Sequence, residues 1–135
     1  MHLALYKFYL EDNKWNASIL KPDEIDSFIF VDMSGESSLN YDSKIDSTLK
    51  QIQDNISLET GSLFKCIYFE TGDVPNNCIA LLAHHLVIDF VSWQIILENY
   101  TDAIYKGEII KNDSKTASIK TWGNHLLERS DSKNI

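Results

Sequence analysis

The sequence predicts a mixed α/β fold, an α+β arrangement of a mixed sheet with flanking helices, in a single domain. Three observations lead there. Strand-like and helix-period stretches follow one another in the order β-β-β-α-β-β-α-α. A length of 135 residues allows one substantial core and not two comfortable ones. The composition, 44% hydrophobic and 24% charged, is that of a globular protein rather than a disordered chain.

The opening "HLALYKFYLEDNKWNASIL" reads as two strands around a turn. Leu3, Leu5, Lys7 and Tyr9 alternate with Ala4, Tyr6, Phe8 and Leu10, and "EDNK" supplies the turn residues. A third strand, "FIFVDMS", starts at Phe28. In "NYDSKIDSTLKQIQDNI" the period changes, and Ile45, Leu49, Ile52 and Ile56 recur at helical spacing. Next come "SLFKCIYFE" and "CIALLAH", two strands joined by the turn-rich "TGDVPNN". The second is nearly all apolar, as expected of a central strand buried on both faces.

After the short "LVID" a second helix is expected, with Ser92 near its start as a cap and Gly107 ending it. Ile96, Tyr100 and Ile104 share one of its faces. The polar "EIIKNDSKT" leads to a last amphipathic helix. Ser118 is its expected N-cap, and Ile119, Trp122, Leu126 and Leu127 form its stripe. Residues 131–135 read as a frayed tail.

Composition also narrows the function. A net charge of -8, with Arg129 the only arginine, argues against nucleic acid as partner. No apolar run approaches a membrane span and no signal-like segment opens the chain, so neither a membrane nor export is expected and the cytoplasm is the expected location. Cys66 and Cys78 sit in apolar runs and read as small buried hydrophobes, neither a disulfide framework nor a zinc pair.

The chemistry concentrates in "AHHLVIDFVSW", residues 83–93, where His84 and His85 stand side by side and Asp89 follows. Successive side chains on an extended backbone point to opposite sides, so the two rings are not expected to share a metal ion. His2 and His125 stand far off in sequence. The same alternation suits acid–base work, with one imidazole turned inward and the other towards a cleft, where it can exchange a proton near neutral pH. Asp89 can orient a ring or hold the loop through an ion pair. Ser92 lacks the glycine-flanked elbow of a nucleophile, and Trp93 reads as core. Spacing alone leaves a catalytic histidine and a pair of structural histidines both standing.

The stretch "HHLVIDFVSWQIILENYTDAI" resembles the HHxxxDG region of condensation-type domains of nonribosomal peptide synthetases. Its "SW" followed by "IIL" is most similar to epimerization-type and closely related condensation members. The likeness extends to "HLALYKFYLEDNKWNASIL", "SLETGSLFKCIYFETGD" and "TASIKTWGNHLLE", and so covers nearly the whole chain in character and order.

This resemblance implies one lobe of a chloramphenicol acetyltransferase-like fold, whose two lobes face each other across a tunnel. It implies that no cofactor is bound directly; phosphopantetheine arms of a peptidyl carrier protein bring thioester substrates into the tunnel. It implies that His85 stands at the reacting amine or α-carbon as the acid/base or positioning residue, that His84 faces the interior, and that Asp89 holds the loop by pairing with an arginine. The reaction implied is amide formation from an acyl thioester and an amine, or epimerization at the α-carbon of a carrier-bound aminoacyl or peptidyl thioester.

The sequence departs from the family pattern at Phe90, where the motif has glycine. Residues 1–130 are expected to form a partial domain, the amino-terminal lobe without its first helix and without the second lobe. The isolated lobe is then expected to be inactive and to expose an apolar face towards a complementary lobe or a neighbouring synthetase domain. Two other readings stand beside this one. In the first, a degenerate stand-alone lobe binds carrier proteins or a partner chain, with Phe90 blocking chemistry. In the second, a small acyltransferase completes its tunnel by self-association.

Overall fold

The computed structural model describes residues 6–107 and 119–131. The expectations placed on Leu3, Ala4, Leu5, Ser118 and residues 132–135 lie outside the described residues, as does the side chain of Ile119, while Asp131, read as the start of the tail, ends the last helix.

The chain starts with a hairpin of β1 (Tyr6–Glu11) and β2 (Lys14–Ile19), paired antiparallel from Tyr6↔Ile19 to Glu11↔Lys14. Its two-residue loop needs positive φ at both positions, and Asp12 (φ 50°) and Asn13 (φ 59°) supply it. Short polar side chains tolerate that region, which is why such turns favour them.

A second sheet has the order β3-β4-β5, with β3 (Phe28–Asp32) parallel to β4 (Phe64–Glu70) and β5 (Cys78–Ala83) antiparallel to β4. A parallel pair needs a long crossover, and α1 (Tyr41–Asp54) provides it. Ile45, Leu49 and Ile52 pack on the fully buried Met33, Ile67 and Phe69. Ile56 does not extend that stripe: the helix ends at Asp54, and Ile56 packs against Leu63 in a second cluster with Val87.

β5 corrects one expectation. It is an edge strand of the described sheet, β4 is the central one, and Ile79 remains 39% exposed. An apolar run of this length fits either place, because burial depends on neighbours the run does not encode. Cys66 and Cys78 are free and half-buried. Cys78 joins the α1-side cluster, whereas Cys66 pairs with Leu81 on the opposite face.

α2 (Phe90–Lys106) runs past that opposite face, where Trp93 meets Phe64 with ring centroids 6.4 Å apart. Gly107 ends α2 in the left-handed region (φ 65°), as expected of a C-terminal cap. α3 (Ile119–Asp131) forms, but Trp122, Leu126 and Leu127 of its expected apolar stripe are exposed. Helical period establishes the helix; covering a stripe takes a second surface.

Candidate active site at the histidine turn

β5 delivers the chain to His84, whose backbone N–H donates to the carbonyl of Leu63 at 2.9 Å. The backbone then turns: the N–H of Val87 donates to the carbonyl of His84 at 3.0 Å. Inside this turn the Leu86 N–H donates to Nδ1 of His84 at 3.2 Å. A ring nitrogen that accepts carries no proton, so the neutral His84 ring bears its hydrogen on Nε2. Val87 and Ile88 are each 6% exposed, and Val87 packs against Leu63 among Phe8, Ile56, Leu58 and Phe64.

Asp89 closes the turn as the N-cap of α2, in extended conformation (φ -120°, ψ 178°). Its Oδ1 accepts the Ser92 N–H at 2.7 Å. Hydrogen bonds from the Ser92 hydroxyl and amide hold the Asp89 carboxyl below its ordinary range. The helix N-terminus favours a negative charge there as well. The cap is thus Asp89 itself, and Ser92, expected as the cap, donates to it from the first turn. An aspartate just before a helix-period run is a readable N-cap signal, and here it outranks the serine inside the helix.

Phe90 is the first residue of α2 and is 74% exposed. It is not among the residues with positive φ, so the local backbone makes no demand for glycine. Trp93, read from the sequence as core, lies against Phe64 at the base of α2 but is half-buried and joins neither buried cluster.

The six residues His84–Asp89 therefore divide by role. His84 and Asp89 bind backbone, Val87 and Ile88 are buried, and His85 and Leu86 are turned outwards. His84 and His85 both border a depression of about 280 Å³, together with Gln53, Ile56 and Ala83. The expected placement on opposite sides assumed an extended backbone, and the turn that begins at His84 removes that condition. Gln53 and Ile56 were not legible as neighbours of the histidines, since they come from the end of α1 and the residues after it. Chemically, the arrangement offers one exposed imidazole on a turn anchored at both ends.

Among the described residues no group of three or more His, Cys, Asp or Glu side chains is placed to hold a metal ion, and no helix is long and apolar enough to cross a membrane. A larger cleft of about 500 Å³ borders α1 beside Asp26, Ser62 and Lys65, and neither histidine of the pair lines it. There the Lys65 ammonium lies 3.1 Å from the Asp26 carboxylate.

Known proteins share this sequence and this fold. Residues 9–135 match the family model described as Condensation domain. The chain is 32% identical over 123 residues to a linear gramicidin synthase of Brevibacillus parabrevis, spanning 89% of this chain and 2% of that protein. It is 32% identical over 141 residues to surfactin synthase subunit 2 of Bacillus subtilis (strain 168), spanning 99% of this chain and 4% of that protein. The chain thus spans only a few per cent of the length of these relatives. Among solved structures, the epimerization domain from the third module of tyrocidine synthetase B superposes with a TM-score of 0.77 at 28% identity. That match covers 98% of this chain and 31% of the domain. The starter condensation domain of rhizomide synthetase superposes with a TM-score of 0.64 at 16% identity, a likeness of fold alone, over 99% of this chain and 32% of that one.

Proposed function

The chain belongs to the condensation-domain family of nonribosomal peptide synthetases, and we propose that it serves as the amino-terminal lobe of such a domain, with His85 as its acid/base or positioning residue. Its fold is mixed α/β, that of part of a chloramphenicol acetyltransferase-like domain. The lobe acts on aminoacyl or peptidyl thioesters carried on the phosphopantetheine of a peptidyl carrier protein, in the cytoplasm. The reaction is amide formation or epimerization. In the first, the amine nitrogen bonds to the thioester carbonyl carbon, the C–S bond breaks, and the imidazole of His85 receives or steers the amine proton, which ends on the departing phosphopantetheine sulfur as the free thiol. In the second, it takes part in removing a proton from the α-carbon and returning it, so that atoms and charge balance over the cycle.

One observation carries this reading. His84, Val87, Ile88 and Asp89 are spent on holding the turn, and His85 is left outward on it, so the imidazole is presented without being needed for the fold. An accessible imidazole carried on an anchored turn is what general acid–base chemistry requires. A tunnel between two lobes needs both, so turnover requires a complementary lobe. The test is turnover of a carrier-bound aminoacyl thioester by this lobe joined to such a partner. His85→Ala should abolish it and leave the melting temperature unchanged, while the lobe alone should be inactive. Full turnover by the variant would refute the assignment.

Phe90 favours a second reading. An exposed phenylalanine, where the motif has glycine, stands beside the histidine turn and would obstruct an arriving thioester arm. The lobe would then be a module that binds carrier or partner proteins without chemistry. Turnover restored by Phe90→Gly to a domain inactive with phenylalanine would support this reading.

A further inference from the structure

β3 and β4 begin, and β5 ends, at one edge of the sheet, since Phe28 pairs with Cys66 and Phe64 with Ala83. Two hollows lie at that edge beside the end of α1. The depression with both histidines adjoins the end of β5 and is bordered by Gln53 and Ile56. The cleft of about 500 Å³ adjoins β3 and β4 at Ile29 and Lys65, and α1 lines it with Thr48, Gln51 and Ile52. Ile56 lines both, so one side chain stands between the cleft and the histidines. From β5 to β3 is two strand spacings, about 10 Å, which about three residues of extended chain span.

The lining of the cleft indicates what it would hold. Among the described residues, the side chains of Thr48 and Gln51 make no hydrogen bond. Asn55 donates from its side-chain amide to the Gln51 carbonyl at 2.8 Å and keeps its amide oxygen open. These hydroxyl and amide groups, beside the apolar Ile29, Ile52 and Ile56, match the alternating amides and small side chains of a peptide. Lys65 is the one cation among the described lining residues. Its ammonium is already engaged by the Asp26 carboxylate at 3.1 Å, by the Asp26 carbonyl and by the Ser62 hydroxyl at 3.4 Å. No cation is left there for the phosphate of a carrier arm, so the cleft suits the peptide better than the arm.

We propose that this cleft holds the upstream residues of a peptidyl thioester whose carrier-bound end lies at His85, with Thr48 and Gln51 meeting the peptide amides. The inference rests on His85 being the reactive group and adds a second binding site beside it. A single aminoacyl group is too short to reach the cleft, so the site favours a peptidyl chain of about three residues or more.

The experiment titrates this chain with trialanine amide, alanine amide and phosphopantetheine, following the side-chain amide signals of Gln51 and Asn55 by proton–nitrogen NMR. Trialanine amide should shift both signals saturably, and the other two compounds should not. Gln51→Trp fills the cleft from an exposed helix position and should remove the shift of Asn55 while the hairpin signals stay native. Thr48→Trp should do the same from the preceding turn, so the result does not hang on one variant folding. Absence of a saturable shift with the tripeptide, or an equal shift with alanine amide, would overturn the proposal. A shift with phosphopantetheine alone would overturn it too, by making the cleft a site for the arm. In the lobe joined to a complementary lobe, kcat/KM for a tripeptidyl thioester should exceed that for an aminoacyl thioester about tenfold or more, and Gln51→Trp should reduce the ratio. Equal values in the native protein would contradict the proposal. Failure of both thioesters to turn over would count against His85 as the reactive group, and the NMR titration would still decide the cleft.

Discussion

The backbone N–H of His84 binds the carbonyl of Leu63 at 2.9 Å, hanging the histidine turn directly from a residue with no solvent exposure. Leu63 thus serves two ends, since its side chain forms a core cluster with Val87 from the same turn. Leu63→Ala should cost about 2–5 kcal/mol, the range for truncating a buried leucine. It should also broaden the His85 ring signals, because both supports of the turn loosen together. Urea unfolding and NMR of the variant check this, and a native His85 spectrum would contradict it.

Gly61 tests the joint between the hairpin and the core. It holds φ at 77°, and a Cβ there would lie 2.8 Å from Cδ2 of Leu20, a buried residue. Alanine would meet both a backbone penalty and a clash, so Gly61→Ala should destabilise by at least about 1 kcal/mol. The urea midpoint should fall with its slope unchanged, and an unaltered midpoint would count against this account.

The two thiols should be inert in the native protein. Burial pushes both Cys66 and Cys78 above the ordinary value of 9.0, so little thiolate exists near neutral pH. They also occupy opposite faces of the sheet, which rules out a bridge between them without rebuilding it. Iodoacetamide should label neither at pH 7 and both in urea, with mass spectrometry as the readout.

Acid should weaken the fold through carboxylates that accept hydrogen bonds. Ser34 lowers Asp32 and Ser92 lowers Asp89, each from an ordinary value of 3.8. For a depressed group, the stabilisation is present above the unfolded value and is lost as pH falls through the folded one. The urea midpoint should therefore hold above about pH 5 and decline below about pH 4. In Asp89→Asn the decline should be shallower, since one of these groups no longer titrates.

Much of the fold is legible because its signals are local. The hairpin follows from Asp12 and Asn13, whose side chains tolerate the φ values that a two-residue loop demands. The end of α2 follows from Gly107 for the same kind of reason. At the site, His85 is singled out by the motif it resembles. The division of labour around it is not: that Leu86 binds the His84 ring, or that Gln53 shares the depression, depends on a turn and a helix end meeting in space. The status of β5 as an edge strand, and the exposure of Trp122, Leu126 and Leu127, escaped the sequence because periodicity reports which face is apolar and not what lies against it.

The sequence by itself determined the order of strands and helices, the turn residues between them and the pair of histidines at the end of β5. These depend on backbone preferences and hydrogen bonds spanning a few residues. Only the tertiary structure decided that both histidines border one depression and that the turn is anchored at Leu63 and Phe64. The anchors join residues about 20 to 30 positions apart, and burial and pairing at that range are set by how whole elements pack.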